Sequence, residues 1–115
     1  MSLADRACTP CRGDTPPLTA DALPPLRAEL HDDWAVIEAH HLERTFRFPD
    51  FAGALAYVNR VGAIAEEADH HPSIELGWGR VKLEIWTHSI DGLSENDFIL
   101  AARWDRAFEE SGASG

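Results

Sequence analysis

A long run of apolar residues at helical spacing, closed by a proline, constrains the fold of this chain more than any other feature. From Phe51 to Ala68, apolar side chains recur every three to four residues, which predicts an amphipathic helix with one buried face. Two adjacent histidines and then Pro72 follow it. Because proline disfavours the helical conformation of the residue before it, we expect the helix to end at His71.

Two pairs of strand-like runs flank this helix, one before it and one after it. They are residues 34–38 with 42–48, and residues 74–78 with 80–87. In the last run, Val81, Leu83 and Ile85 alternate with polar or mixed neighbours, which is typical of a strand with one buried face. We expect a hairpin turn at residues 39–41, and we interpret His40 and His41 as exposed turn residues.

Further helices are expected at both ends of this pattern. Thr19 and Asp21 could cap a first helix running toward Leu30. Because an interior proline removes a ladder bond, we expect the regular helix to begin near Pro24 and Pro25 and to be short. Ser94 and Asp97 have the spacing of a capping box at the start of a last helix. The order helix, strand, strand, helix, strand, strand, helix predicts an α+β domain with a four-stranded, mainly antiparallel sheet and helices on one face.

The two ends of the chain lack this periodicity. We expect a flexible or loosely docked lead-in at residues 1–17, a single domain at 18–110 and a frayed tail at 111–115. Cys8 and Cys11 have the spacing of redox pairs and of half a zinc ribbon, but no second pair completes a four-thiolate site. We therefore interpret them as ordinary reduced thiols.

The charge balance limits the partners of this chain. Its 20 acidic and 10 basic side chains give a formal net charge of −10, so its field repels phosphate backbones and anionic lipid surfaces. Its apolar runs are far shorter than the roughly 18 residues of a spanning helix, and its first residues do not resemble a signal peptide. We therefore expect a cytoplasmic protein that binds neither nucleic acid nor membranes.

Three histidines and two carboxylates form the candidate chemical set of this framework. They are His70, His71, His88, Glu66 and Asp97. Imidazoles take and give protons near neutral pH, which suits general acid and base catalysis. On a continuous helix Glu66 would share a face with His70, four residues later, and His71 would point about 100° away. We expect these groups to reach one pocket whose walls include nearby tryptophans.

Each of these residues also has a purely structural explanation. Histidines at a helix C-terminus interact favourably with the helix dipole, by about 0.3–1 kcal/mol. Capping the last helix is a sufficient role for Asp97, and the tryptophans at 34, 78 and 86 can belong to the core. Taken singly, the residues favour these explanations, whereas their combination favours a site.

The spacing of the whole set resembles the signature of the pterin-4a-carbinolamine dehydratases. The residues that carry the resemblance are Glu66, His70, His71, Pro72, Trp78, His88 and Asp97. The similarity extends from about Leu18 to Phe108 and includes Trp34 and the segments 46–48, 58–61, 77–79 and 92–94. The segment 8–13 also resembles the lead-in of bacterial and plant members.

The resemblance implies a lyase that needs no metal or other cofactor. It would remove water from 4a-hydroxytetrahydrobiopterin to give quinonoid dihydrobiopterin, and so recycle the cofactor of aromatic amino acid hydroxylases. The implied roles are catalysis by His70, His71 and His88, support by Glu66 and Asp97, and substrate binding by Trp34, Pro72 and Trp78. The resemblance also implies a homodimer or homotetramer.

Two other functions stay open on the same fold. Three histidines and a carboxylate can complete a zinc site, which would make the protein a metal-binding one. Animal members of the family also act as dimerisation cofactors of a homeodomain transcription factor, so a partner-binding module is the second alternative. The intact histidine set favours the enzyme, because a pure scaffold would be free to lose it.

Overall fold

A computed structural model describes residues 2–8 and 16–112 of the chain. Its elements follow the predicted order, with short 3₁₀ turns at Leu3–Asp5, Ala20–Ala22 and His88–Ile90. The helices and strands are α1 (Leu23–Arg27), β1 (Ala35–Ile37), β2 (His41–Arg47), α2 (Phe51–Ala68), β3 (Ser73–Gly77), β4 (Arg80–Ile85) and α3 (Glu95–Glu110). The first helix is short and has proline at its first turn, as predicted.

The four strands form one antiparallel sheet in the spatial order β1-β2-β4-β3. The central pair places Phe46 opposite Val81 and Leu42 opposite Ile85. Alternate residues along both strands are buried, because successive side chains of a strand point to opposite faces. The prediction of an α+β fold with a four-stranded antiparallel sheet is confirmed.

The helices α2 and α3 share one core with the inner face of this sheet. Tyr57 and Val61 of α2 and Trp104 of α3 are buried in the same cluster as the inward residues of β2 and β4. The Tyr57 hydroxyl donates a hydrogen bond of 2.8 Å to the Trp104 carbonyl, which joins the two helices. Burial raises the pKa of Tyr57, so this hydroxyl stays a donor.

The end of α2 differs from the prediction. The helix ends at Ala68 rather than at His71, because Asp69 adopts the left-handed conformation (φ 51°, ψ 45°). The Asp69 N–H is bonded to the Ala65 and Glu66 carbonyls, and the His70 N–H to the Ala65 carbonyl. A left-handed residue closes a helix in this way, so the chain has left the helix before Pro72 can act.

The turn between β1 and β2 also differs from the prediction. Glu38 and Ala39 have positive φ angles of 52° and 56°, and His40 donates its N–H to the Ile37 carbonyl at 2.8 Å. His41 is the first residue of β2, pairs with Ile37 and is half-buried. The interpretation of His41 as an exposed turn residue is therefore wrong.

The first described residues, 2–8, pack on α3. Leu3 is 1% exposed, and the Arg103 side chain donates to the carbonyls of Ala4 (3.1 Å) and Arg6 (2.6 Å). Cys8 is half-buried, whereas Cys11 lies outside the described residues. Among the described residues, no helix combines the length and apolarity that crossing a membrane requires.

Candidate active site

A cavity of about 390 Å³ opens where the end of α2, the end of β4 and the start of α3 meet. The described residues that line it are Cys8, Ala68, Asp69, His70, His71, Trp86, Thr87, His88, Ser89 and Asn96. The three histidines that we predicted from their spacing thus reach one cavity. They come from two connections, one after α2 and one after β4.

The His70 imidazole is held by a buried carboxylate. Its Nε2 lies 2.5 Å from Oδ1 of Asp97, whose side chain is fully buried in the first turn of α3. An ionised carboxylate only accepts hydrogen bonds, so Nε2 of a neutral His70 carries the hydrogen. Nδ1 is then the nitrogen of His70 that can accept a proton.

The second oxygen of Asp97 is also bound. Oδ2 accepts from Oγ1 of Thr87 at 2.9 Å and from the backbone N–H of Ser94 at 2.8 Å. The second of these bonds belongs to the predicted capping box, which is confirmed. A buried carboxylate with three donors keeps a fixed orientation, so α3 positions His70 through Asp97.

The partner of Glu66 differs from the prediction. Its Oε1 lies 2.5 Å from Nε2 of His71, not beside His70, because the left-handed step at Asp69 breaks the helical spacing on which the predicted pair depended. Both side chains of the observed pair are more than half exposed. Exposed ion pairs contribute little to stability, so this carboxylate orients His71 rather than stabilising the fold.

The aromatic wall of the cavity is Trp86. Its ring centroid lies 4.5 Å from that of His88, with 31° between the ring planes. His88 is exposed and begins the turn His88–Ile90 after β4. The indole therefore holds the third histidine against one side of the cavity.

The three residues expected to bind substrate, Trp34, Pro72 and Trp78, are not among the described residues that line the cavity. Trp34 is 1% exposed in the core, where its indole N–H donates to Oδ1 of Asp105 at 2.7 Å. Trp78 is 74% exposed at the turn between β3 and β4. Asp105 supplies the polar partner that the buried indole N–H of Trp34 needs.

Sequence reasoning missed the residue that links the two sides of the site. Thr87 is 3% exposed, and its hydroxyl lies 2.7 Å from Oγ of Ser94 in addition to its bond with Asp97. The available signal was a hydroxyl residue directly before His88, at the point where the alternation of β4 ends. A hydroxyl there can support a neighbouring polar group that the sheet would otherwise leave unsatisfied.

The cavity histidines do not form a metal-binding group. Within residues 2–8 and 16–112, the only three histidine, cysteine or acidic residues whose ligand atoms all lie within 4.8 Å are His41, Glu43 and Glu84. These are sheet residues outside the cavity. The alternative of a zinc site built from His70, His71 and His88 therefore has no support in the geometry.

The sequence matches relatives over nearly its whole length. Residues 16–107 match the family described as pterin 4 alpha carbinolamine dehydratase. A relative from Alkaliphilus metalliredigens is 48% identical over 109 residues, which cover 95% of this chain and 98% of the relative. One from Rubrobacter xylanophilus is 51% identical over 104 residues, 90% of this chain and 96% of the relative. Both carry the provisional name pterin-4-alpha-carbinolamine dehydratase.

Two solved structures share the fold. The transcriptional coactivator/pterin dehydratase from Brucella melitensis superposes with a TM-score of 0.74 at 28% identity, covering 79% of this chain and 97% of that one. A pterin dehydratase-like protein described as a RuBisCO assembly factor of the alpha-carboxysome gives a TM-score of 0.59 at 27% identity, covering 73% and 95%. With most of its length matched by the family and by relatives near half identity, this chain belongs to the pterin 4 alpha carbinolamine dehydratase family.

Proposed function

We propose that this protein is a hydro-lyase that dehydrates 4a-hydroxytetrahydrobiopterin, or a close pterin analogue, to the quinonoid dihydropterin. The observation that carries the proposal is the convergence of His70, His71 and His88 on one cavity, with a buried carboxylate fixing the first of them. Family membership supports the same reaction class.

The reaction needs one acid and one base. The bond between C4a and its hydroxyl oxygen breaks, and a proton given to that oxygen lets it leave as water. A ring N–H loses its proton, and the electron pair of that bond becomes the new C=N bond. Imidazoles serve both roles near neutral pH, so two histidines suffice without any redox partner.

His70 is the better base of the set. Asp97 accepts its Nε2–H, which leaves Nδ1 to take the ring proton and places a carboxylate beside the imidazolium that forms. The His88 ring contacts Trp86, and in the described part of the chain no carboxylate pairs with the His88 ring. We assign His88 as the acid on the leaving oxygen, and His71 with Glu66 as a binding or relay pair.

The flat substrate requires an apolar wall. Trp86 lines the cavity beside His88, and an indole face or edge can contact a bicyclic ring. Trp86 therefore replaces Trp34 and Trp78 in our proposal for substrate contact. The supporting roles of Glu66 and Asp97 remain part of it.

The cellular setting is proposed from the resemblance and the charge. A homodimer or homotetramer in the cytoplasm, acting on pterin released by an aromatic amino acid hydroxylase, fits the family. The formal charge of −10 supports a small-molecule substrate rather than nucleic acid or a membrane.

The direct test is the dehydration rate of freshly generated 4a-hydroxytetrahydrobiopterin with metal-stripped protein. We expect His70→Ala to lower turnover by about 10²-fold or more, the usual contribution of an acid or base. His31→Ala is the matched control, because His31 is an exposed histidine that does not line the cavity. A wild type no faster than the spontaneous reaction would exclude the enzyme.

A partner-binding function is the second candidate. Among the solved structures that share this fold, one is described as a transcriptional coactivator/pterin dehydratase and another as a RuBisCO assembly factor. On this chain, the exposed Trp78 is the apolar side chain best placed to contact a partner. A folded but inactive wild type would favour this function.

A further inference from the structure

The outer face of the sheet, opposite the helices, carries one histidine and two glutamates that point to a common centre. His41 and Glu43 lie two residues apart on β2, and Glu84 of β4 is paired with Glu43 in the strand register. Nε2 of His41 lies 4.0 Å from Oε2 of Glu43 and 3.7 Å from Oε2 of Glu84. All three residues are half-buried.

The hydrogen bonds behind His41 fix which nitrogen faces this centre. Oδ1 of Asp91 lies 2.8 Å from Nε2 of His40, and Nδ1 of His40 lies 3.0 Å from Nδ1 of His41. An ionised carboxylate only accepts, so Nε2 of His40 donates and Nδ1 of a neutral His40 accepts from His41. Nε2 of a neutral His41 then presents a lone pair to two carboxylate oxygens. Histidines that bind metals have this arrangement, with the second N–H held by a hydrogen bond.

The charge at this centre is only partly neutralised. Like charges directly opposite on neighbouring strands are destabilising, and Glu43 and Glu84 form such a pair. The Lys82 ammonium lies 3.6 Å and 3.4 Å from the Oε1 atoms of Glu43 and Glu84 and also 3.6 Å from Glu75. The pKa of Lys82 is raised, chiefly by the charge of Glu43. One ammonium nevertheless faces three carboxylates.

Lys82 and a second cation can be bound together. The ammonium lies near the Oε1 atom of each glutamate, whereas the Oε2 atoms face His41. The centre of the three ligand atoms is therefore on the other side of the carboxylates from Lys82. Bonds of about 2.0–2.2 Å to a tetrahedral ion require the ligand atoms to approach to about 3.4 Å. The two separations from Nε2 of His41 are 3.7 and 4.0 Å, and all three ligand atoms lie within 4.8 Å of one another, so side-chain rotation is enough to close the site.

We propose that His41, Glu43 and Glu84 form a site for a divalent transition metal ion, zinc in the first place, on the outer face of the sheet, beside Trp86 but outside the set of residues that line the cavity. One imidazole nitrogen and two carboxylate oxygens are a ligand set that zinc accepts, with the remaining position open to water. The ion would join β2 to β4 and relieve the repulsion between the paired glutamates.

Trp86 provides an optical readout of this site. Its ring centroid lies 5.9 Å from that of His41 and 4.5 Å from that of His88. An open-shell ion such as Ni²⁺ bound at His41 would quench the Trp86 indole. The quenching should be lost in Trp86→Phe, in which the other three tryptophans remain. It should also be lost in His41→Ala and kept in His88→Ala, because an ion at His88 would quench the same indole.

The test is a calorimetric titration of Zn²⁺ into metal-stripped full-length protein at mildly alkaline pH. We expect one saturable equivalent that His41→Ala and Glu84→Gln each weaken by about tenfold or more, with at most about a twofold change in Glu75→Gln. Glu75→Gln is the matched control, because Glu75 contacts the same lysine but lies outside the ligand set.

Three results would overturn the proposal. They are the absence of saturable binding, binding that His41→Ala leaves unchanged, and binding that is lost instead in His88→Ala or Cys11→Ser. The last result would place the ion at the cavity or at the cysteine pair. Neither the site nor this test depends on whether the protein proves to be a dehydratase.

Discussion

At the scale of single residues, Thr87 is the side chain whose role in the site is most directly testable. Its hydroxyl donates to the buried carboxylate that holds His70. Thr87→Val keeps the shape and removes the donor, so we expect a loss of about 1.5–3 kcal/mol of stability, the contribution of a hydrogen bond to a charged group. We also expect turnover to fall by about four- to tenfold if half of that loss reaches the transition state.

Rescue by the conservative variant separates positioning from packing. Thr87→Ser restores the hydroxyl but not the methyl group, so turnover should recover while stability recovers only in part. Chemical denaturation and the dehydration rate measure the two quantities. Unchanged turnover in folded Thr87→Val, with only its stability lowered, would mean that Thr87 acts only on the fold.

The same scale shows what the sequence could and could not predict about the site. The spacing of His70, His71 and His88 identified the histidines that meet at one cavity. It paired Glu66 with the wrong imidazole, because the pairing assumed a helix that a single left-handed residue ends. The family resemblance assigned Trp34 to substrate binding, and nothing in the pattern of residues shows that Asp105 accepts its indole N–H in the core.

At the scale of elements, the end of α2 determines where both adjacent histidines lie. Asp69 has φ 51°, a conformation that costs an ordinary L-residue roughly 1–2 kcal/mol and glycine almost nothing. We therefore expect Asp69→Gly to raise the free energy of unfolding by up to about 1 kcal/mol, which corresponds to a rise in Tm of about 4–8 °C for a domain of this size. Thermal unfolding followed by circular dichroism measures it.

The opposite substitution is the control. Asp69→Val places a β-branched residue in the left-handed conformation, so it should lower both Tm and turnover, since His70 and His71 follow directly. If Asp69→Val left Tm unchanged, the left-handed end of α2 would be excluded.

The order of elements was predictable because apolar periodicity is local in sequence. The end of α2 was not predictable, because whether an aspartate takes a positive φ depends on the contacts around it.

At the scale of the whole molecule, the docking of residues 2–8 on α3 could not be predicted. The segment has no periodicity. Its attachment depends on the buried side chain of Leu3, on carbonyls that accept from Arg103, and on ion pairs of Asp5 with Arg106 and of Arg6 with Glu95. The sequence indicated a single core because each predicted helix and strand has one apolar face, which it must bury against another element. It could not show that a short segment from the start of the chain borders the cavity, where Cys8 is one of the lining residues.

This docking predicts that Leu3 controls access to Cys8. Leu3→Ala removes most of a side chain that is 1% exposed, a change that costs about 2–5 kcal/mol in a core and less where a terminal segment can detach instead. In a Cys11→Ser background, the half-buried Cys8 thiol should then react with a thiol reagent at least severalfold faster, while the midpoint of global unfolding shifts little. Arg27→Ala is a control on α1, away from this contact. Equal labelling rates in Leu3→Ala and its parent would mean that residues 2–8 already detach in the parent protein. A large shift in the midpoint of global unfolding would mean that Leu3 belongs to the cooperative core.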